Sequence, residues 1–315
     1  MNKEMCSPKY NIAVIITCFN RCKLTVSSLS ALFASKEIYN KRHKDGSLSL
    51  HVFLTDDGCT DGTAETVLQT FPDESIQIVQ GNGSLYWAGG MRKAWTEAMN
   101  ASQEWDYYIL LNDDTMCMDY AMEELFSTQR YLKEKHGMEG VVSGVCQSTD
   151  GKEITYGAEY YSIPLIGKSL FMHPVGKPKQ CYRTNANLVL VSGEVVKKTG
   201  IFDKDFIHSC ADWAYGIKAN RAGFPVYITA RICAECDNDH GTIKDEGRKV
   251  MNMSLQERKK FFNHPLRATS DKLLFMKHYY KEKYLILFLA RTLAVYLPTL
   301  YYCLLNLRPQ KQKCQ

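Results

Sequence analysis

The sequence lacks the features that mark several specialised classes of protein. Its first ten residues contain no apolar core of the kind found in signal peptides. Hydrophobic residues make up 45% of the chain and aromatic residues 11%, so the composition excludes wholesale disorder. The net charge is only +5, with basic residues scattered until the C-terminal region. We therefore expect no nucleic-acid partner, although this charge is compatible with a membrane surface.

The twelve cysteines do not indicate a disulfide framework. A chain of 315 residues can bury a sizeable core without cross-links, and the polar N-terminus favours a reducing, cytoplasmic compartment with free thiols. Cys233 and Cys236 have the spacing of metal ligands, with His240 close behind. Since no second ligand pair follows at a convincing spacing, we do not predict structural zinc.

Apolar strands alternate with helical segments in the first half of the chain. The predicted strands are residues 11–17, 48–55, 76–80 and 107–111. The predicted helices are residues 23–35, 64–70 and the segment from the glycine-rich stretch to about Ala101. Repeated strand–helix units imply right-handed crossovers. The predicted fold class is α/β, a Rossmann-like and mostly parallel sheet flanked by helices.

The pattern changes past residue 140. The predicted strands there are residues 141–146, 153–161, 188–191 and 226–229. No strongly periodic helix precedes Cys210, and a short amphipathic helix is predicted at residues 212–222. We expect this half to complete the sheet and to form a wall facing an acceptor.

Two predicted strands end at acidic residues. Residues 107–111 run into Asn112-Asp113-Asp114, and residues 48–55 run into Asp56-Asp57. In open α/β sheets ligands collect beyond the carboxyl ends of strands, where carboxylates can hold a divalent cation and its phosphates. The alternative is that these acids are solvated and cap the next helices.

Residues 81–92 contain four glycines and open a helix. Glycine lets the backbone approach a phosphate or a sugar ring closely. A tight turn with close helix packing is the alternative, because the stretch matches neither the phosphate loop nor the dinucleotide fingerprint.

Four motifs, in this order and spacing, resemble a known enzyme family. They are residues 17–21 (TCFNR), 56–63 (DDGCTDGT), 112–115 (NDDT) and Asp212, eleven residues before Gly223. Over residues 11–240 they resemble the family 2 glycosyltransferases of the GT-A fold. Residues 84–91 are most similar to bacterial rhamnosyltransferase-type enzymes of surface-polysaccharide assembly. The resemblance implies a GT-A nucleotide-sugar transferase domain at residues 1–245, followed by a helical appendage at residues 246–315.

The resemblance implies a donor site at the strand ends. Phe19 would stack on the nucleotide base, and Asp56 or Asp57 would accept a hydrogen bond from the base imide, which favours a UDP- or dTDP-sugar. Arg92 would neutralise the phosphates or orient the donor sugar. The remaining donor-binding positions are Thr17, Asn20, Trp87, Gly89, Asn112 and Asp113.

The resemblance also implies Mn²⁺ or Mg²⁺. Asp114 occupies the last position of an Asp-x-Asp-like motif and would bridge the metal to the departing diphosphate, while His240 would complete the metal shell. Asn112 stands where many relatives carry an aspartate, which removes one charge but leaves an oxygen ligand. For His240 the alternative is a solvated loop position.

Asp212 is the candidate catalytic base. Transfer with inversion needs one base to take the proton of the acceptor hydroxyl. Ala211 and Ala214 replace the acids that flank this position in the family's usual Glu-Asp-x-Asp. A helix N-cap is the alternative for Asp212.

The C-terminal region is apolar with a basic fringe. Residues 284–307 are almost uninterruptedly apolar, but Arg291 stands near their middle, so we do not predict a transmembrane helix. We expect residues 277–313 to contact an anionic membrane peripherally, on the inner face of the cell membrane. A dimer interface or a helical cap is the alternative, and a homo-oligomer stays open.

Together these motifs predict a metal-dependent, inverting glycosyltransferase of bacterial surface-polysaccharide synthesis. It would move a sugar from a UDP- or dTDP-sugar to a saccharide or lipid-linked saccharide. A sugar-phosphate nucleotidyltransferase would need a Gly-rich, basic phosphate signature, which residues 18–21 do not supply. A non-catalytic sugar-binding or scaffold protein on a transferase fold stays open because of Ala211 and Ala214.

Overall fold

The structure, a computed structural model, divides the chain into two units. The residues that it describes are 10–43, 46–162, 169–238, 249–267 and 269–306. The units are Met1–Asn238 and Asp239–Gln315. The predicted domain boundary at residues 245/246 falls outside the described residues, as does His240.

The first unit is built from strands and helices that alternate through its N-terminal half. The strands are β1 (Tyr10–Cys18), β2 (Leu48–Asp56), β3 (Ser75–Gln80), β4 (Tyr107–Leu111), β5 (Met116–Cys117), β6 (Val141–Gln147), β7 (Ile154–Tyr156), β8 (Ala158–Tyr161), β9 (Ser169–Phe171), β10 (Lys179–Gln180), β11 (Arg183–Thr184), β12 (Leu188–Ser192) and β13 (Val226–Glu235). The helices are α1 (Cys22–Arg42), α2 (Thr63–Thr70), α3 (Tyr86–Asn100), α4 (Ala121–His136), α5 (Gly193–Thr199) and α6 (Ala211–Arg221).

A ten-stranded sheet forms the centre of this unit, in the order β10-β13-β6-β12-β4-β1-β2-β3, with β5 paired to β13 and β7 to β6. Strands β3, β2, β1 and β4 are parallel, whereas β12 runs antiparallel between β4 and β6. A smaller sheet has the order β11-β8-β9. The predicted α/β class, with a mostly parallel sheet flanked by helices and a helical C-terminal region, is confirmed.

The two faces of the central sheet are buried under different helices. Alternate side chains of β1, Ile12, Val14 and Ile16, share one core with Leu29 and Leu32 of α1. The opposite face carries α3, whose Trp95 packs on Tyr108 of β4 with ring centroids 5.8 Å apart. Burial on both faces explains why β1 and β4 read as continuous apolar runs.

Several elements differ from their predicted bounds. Helix α1 continues past residue 35 to Arg42, because Lys36 forms an ion pair with Glu74 at 2.7 Å. The predicted strand at residues 153–161 is two strands separated by Gly157, which adopts φ +134°. Strand β13 continues past the predicted end at residue 229. Helix α5 was not predicted, because seven residues are too few to show helical periodicity.

The second unit is helical where the structure describes it. Its helices are α7 (Leu255–Asn263), α8 (Thr269–Tyr279), α9 (Lys281–Tyr296) and α10 (Pro298–Asn306). A capping box formed by Ser254 and Glu257 starts α7. Val250, Phe262 and Val295 are among the buried residues of its small core. Of the helices in the described part of the chain, none has the length and apolar character needed to cross a membrane.

Candidate functional site

The strand ends that were predicted to carry function meet at one edge of the sheet. Cys18 at the end of β1 pairs with Asp56 at the end of β2, and β4 lies parallel on the other side of β1. Strand β12 enters from the opposite direction, so that the carbonyl of Asn187 accepts a hydrogen bond from the N–H of Asn112 at 3.1 Å. The segments after β1, β2 and β4 and before β12 therefore share this edge.

Asp57 holds the glycine-rich stretch in place. Its Oδ1 accepts hydrogen bonds from the N–H groups of Asn82 at 3.2 Å and Gly83 at 2.9 Å. Its Oδ2 accepts from the N–H groups of Leu85 at 2.9 Å and Tyr86 at 3.2 Å. Asp57 is only 4% exposed. Its carboxylate is thus committed to the backbone of the loop that opens α3.

Two of the four glycines serve close packing. A Cβ on Gly81 would lie 2.5 Å from Oδ1 of Asp57, and a Cβ on Gly90 would lie 2.1 Å from Oγ1 of Thr17. The hydroxyl of Thr17 itself donates to the carbonyl of Thr55 at 3.3 Å. The packing alternative therefore accounts for Gly81 and Gly90, and it places Thr17 beneath α3.

The residues predicted to hold the nucleotide base surround the ends of β1 and β2. Phe19 is 53% exposed, as a stacking residue must be before its ligand binds. The Oδ1 of Asn20 accepts from the N–H of Thr60 at 2.7 Å. The Oδ1 of Asp56 accepts from the N–H of Cys59 at 2.7 Å. Because its carboxylate is less engaged than the four-fold bonded carboxylate of Asp57, Asp56 is the better acceptor for a base imide.

Arg21 pairs with both acids at the end of β4. Its Nη1 lies 3.0 Å from Oδ1 of Asp113, and its Nη2 lies 2.7 Å from Oδ2 of Asp114. Burial raises the pKa of the Asp113 carboxyl to about 7, although the guanidinium of Arg21 acts to lower it. Sequence reasoning did not single out Arg21. Its place in the TCFNR motif, directly after Asn20, was the available signal.

The oxygens expected to bind a metal are engaged by protein groups. The indole N–H of Trp87 donates to Oδ1 of Asn112 at 2.8 Å. The thiol of Cys236 donates to Oδ1 of Asp114 at 3.5 Å, and Oδ2 of Asp114 faces Arg21. Among the described residues, no group of three His, Cys, Asp or Glu side chains can hold a metal ion. With Arg21 on both acids, these side chains do not fit Mn²⁺ or Mg²⁺, and the predicted metal site that includes His240 stays a prediction.

Asp212 faces the same edge from α6. Its Oδ2 accepts from the N–H of Ala186 at 3.1 Å, just before β12, and its Oδ1 accepts from the N–H of Trp213 at 2.8 Å. Burial raises the pKa of Asp212 to about 7 against these two donors, and the charge of Glu159 raises it further. The N-cap position is taken by Cys210, so Asp212 lies in the first turn of the helix.

Arg92 and Gly89 anchor the segment that leads to Asp212. The Nη1 of Arg92 donates to the carbonyls of Asp203 at 3.1 Å and Phe206 at 2.5 Å. The N–H of Gly89 donates to the carbonyl of Ile207 at 3.3 Å. The predicted contact of Arg92 and Gly89 with the donor stays a prediction, while the contacts in the structure are with this segment.

Non-glycine residues with left-handed backbones lie beside the candidate site. In the described part of the chain they are Asn20 (φ +52°), Tyr86 (φ +54°) and Cys210 (φ +63°). Each adjoins a segment already assigned to the site: residues 17–21, the glycine-rich stretch and the start of α6. Such strained conformations concentrate at functional sites.

Similarity to known proteins is found among solved structures. The sequence matches no family model and no curated protein. The structure is similar to the crystal structure of the 1–349 portion of S. aureus TarS, with a TM-score of 0.48 and 13% identity over 96% of this chain and 76% of that one. It is also similar to the crystal structure of that portion in complex with UDP-GlcNAc, with a TM-score of 0.48 and 12% identity over 82% and 69% of the two chains.

Proposed function

We propose that this protein is an inverting glycosyltransferase that moves a sugar from a UDP- or dTDP-sugar to a saccharide or lipid-linked saccharide. The observation that carries the proposal is the position of Asp212. Its carboxylate, with a pKa of about 7, accepts from the N–H of Ala186 at the sheet edge where β1 and β2 end beside Phe19 and Asp56. A base with a pKa near the working pH is partly ionised and still basic enough to take a proton.

The donor side of the reaction uses the ends of β1 and β2. Phe19 stacks on the nucleotide base, and the carboxylate of Asp56 accepts the hydrogen bond of the base imide N–H. A cytosine base carries no such N–H, so this contact favours uracil or thymine. Asp57 contributes indirectly, because it fixes the glycine-rich loop beside this site.

The acceptor side uses Asp212. Its carboxylate takes the proton of the acceptor hydroxyl while that oxygen forms a bond to the anomeric carbon. The bond from the anomeric carbon to the nucleoside diphosphate breaks on the opposite face, and the electron pair leaves with the diphosphate. The N–H groups of Ala186 and Trp213 hold the carboxylate in one orientation throughout.

Three further expectations rest on the family resemblance alone and stay predictions. They are rhamnosyl specificity, a role in bacterial surface-polysaccharide synthesis, and dependence on Mn²⁺ or Mg²⁺.

The test compares Asp212→Asn with the wild type and with Asp205→Asn, an exposed aspartate in the segment before α6. Titration calorimetry with UDP and dTDP measures binding, and hydrolysis of their sugar conjugates, UDP-N-acetylglucosamine included, measures turnover. We expect Asp212→Asn to retain nucleotide affinity and to lose turnover by at least about 100-fold, since it removes the general base.

Asp205→Asn should match the wild type in both measurements. Normal turnover by Asp212→Asn would refute the assignment of the base. If neither nucleotide binds the wild type, with or without Mn²⁺, the transferase proposal fails and the scaffold alternative is favoured.

We also propose that the second unit contacts an anionic membrane surface. Exposed apolar side chains line α9 and α10, with Leu285 at 59%, Leu289 at 52% and Leu300 at 48% exposure. Lys281, the first residue of α9, and Lys277, near the end of α8, are both exposed. Apolar side chains with adjacent cations suit the interface of a bilayer that carries negative lipids.

Charge placed on this apolar surface tests the membrane proposal. Full-length protein with Leu285→Glu and Leu289→Glu should sediment less with liposomes that contain phosphatidylserine than the wild type does. Leu68→Glu, at a residue of α2 with 46% exposure, is the matched control and should sediment normally. Equal sedimentation of all three proteins would end the proposal. A smaller oligomer in light scattering would instead favour a dimer interface.

A further inference from the structure

The pairing of Arg21 with Asp113 and Asp114 departs from what the resemblance implies. The family pattern places a divalent cation at this strand end, whereas the structure places a guanidinium there. We propose that Arg21 occupies the position in which a divalent cation would bind these two carboxylates, so that Arg21 and such a cation compete for them.

The geometry of the pairing supports competition rather than coexistence. The fork of Arg21 gives one nitrogen to each acid, at 3.0 Å to Asp113 and 2.7 Å to Asp114. A divalent cation binds carboxylate oxygens at about 2.0–2.6 Å. A cation on the same oxygens would then lie within a few ångströms of the guanidinium, where like charges repel strongly.

Two neighbouring oxygens already accept hydrogen bonds from other protein groups. The Oδ1 of Asn112 accepts from Trp87, and Oδ1 of Asp114 accepts from the thiol of Cys236. A cation at Asp114 would therefore have to displace the thiol from one oxygen or Arg21 from the other. The net charge of Asp113, Asp114 and Arg21 together is less negative by one than that of the two acids alone, which further lowers the attraction for a cation.

Arg21 is built so that its side chain can leave while its backbone stays. The carbonyl of Arg21 accepts from the N–H of Thr25 at 2.9 Å and from its hydroxyl at 3.0 Å, which fixes the start of α1. The side chain is 38% exposed, against 8% for Asp113 and 24% for Asp114. Rotation of one partly exposed side chain is therefore enough to release both carboxylates.

The competition is measured by Mn²⁺ binding in the absence of nucleotide, by electron paramagnetic resonance at a pH of about 8, where free aspartates are ionised. Arg21→Gln removes the positive charge of the guanidinium and should tighten Mn²⁺ binding by at least about tenfold, because the local charge becomes more negative and two carboxylate oxygens are freed. Arg21→Lys keeps one positive charge but loses the planar fork that gives one nitrogen to each acid, and should fall between. Adding Asp114→Asn to Arg21→Gln should remove the gain.

Arg130→Gln is the matched control, because Arg130 forms a 2.8 Å ion pair with Glu123 on α4 and is 51% exposed. It should bind Mn²⁺ as the wild type does. Equal or weaker Mn²⁺ binding by Arg21→Gln would overturn the proposal, and so would the absence of Mn²⁺ binding by every variant. Circular dichroism checks that each variant is folded, and Arg21→Lys serves if Arg21→Gln is not. The assay uses no donor, so its outcome is separate from that of the UDP and dTDP titrations.

Discussion

Replacing Asp57 should destabilise the first unit far more than replacing an ordinary surface aspartate. The side chain is 4% exposed, and its two oxygens accept four backbone hydrogen bonds from residues 82–86. Asp57→Asn keeps the shape but leaves one acceptor oxygen. The amide NH₂ would then face two of the four N–H donors, and donors cannot bond to donors.

The size of the effect follows from these unsatisfied donors. A fully buried N–H without an acceptor costs about 1–3 kcal/mol. These four bonds are only partly buried, so contact of the loop with water recovers some of that cost. We expect Asp57→Asn to lower the free energy of unfolding by about 3 kcal/mol, and Asp57→Ala, which removes all four acceptors, by about 4 kcal/mol.

Urea denaturation followed by circular dichroism measures this change, with Asp73→Asn as the control at an exposed turn. Amide exchange at Gly83 and Leu85 should accelerate in Asp57→Asn while exchange in β12 stays slow. A loss below about 1 kcal/mol, within the range of ordinary surface substitutions, would refute the structural role of the carboxylate.

Three further predictions concern packing and titration. Gly90→Ala places a Cβ 2.1 Å from Oγ1 of Thr17 and should cost about 1–3 kcal/mol in urea unfolding, with Thr17→Ala recovering part of the loss; full stability of the single variant would contradict this packing. Glu159→Gln removes a negative charge that raises the pKa of Asp212, so the acid limb of the pH–rate profile for donor hydrolysis should move to lower pH. An unchanged profile would show that Glu159 does not act on the base. Folded Asp212 keeps its proton up to a pKa of about 7, whereas unfolded aspartate releases it at about 3.9, so its burial costs stability progressively as the pH rises between these values. Asp212→Asn should therefore gain stability relative to the wild type across that window in urea titrations, and a constant difference would contradict the raised pKa.

The sequence was sufficient to predict which segments meet at the site. Buried parallel strands leave a clear apolar pattern, and the carboxyl ends of neighbouring parallel strands must lie at one edge. The spacing of residues 17–21, 56–57 and 112–114 after β1, β2 and β4 was therefore enough to bring them together. Asp212 was harder, because its approach depends on β12 entering that edge in the opposite direction.

The sequence could not divide roles among neighbouring polar residues. Asp56 and Asp57 are adjacent residues of the same type, so the sequence does not distinguish them. Only the structure of the glycine-rich loop shows that Asp57 accepts hydrogen bonds from four backbone N–H groups. Likewise, the sequence shows only that an arginine follows Asn20. The structure shows that this arginine forms ion pairs with both Asp113 and Asp114. The pairing of Arg21 depends on contacts between residues 92 and 93 positions apart, and that of Asp57 on contacts 25 to 29 positions apart, which no local pattern encodes.

The predicted ends of helices and strands were wrong for a related reason. Helix α1 extends through a polar stretch because Tyr39 is buried and Lys36 is paired with Glu74, and both contacts are tertiary. Local composition alone favoured a loop there.

The central claim is that Asp212 drives transfer with inversion at the anomeric carbon. Proton NMR of the sugar product formed from an α-linked UDP- or dTDP-sugar tests it most directly, with the spectrum recorded before the anomers equilibrate. We expect a β-configured product from the wild type and no consumption of the donor by Asp212→Asn. An α-configured product, or equal turnover by the variant, would contradict the account.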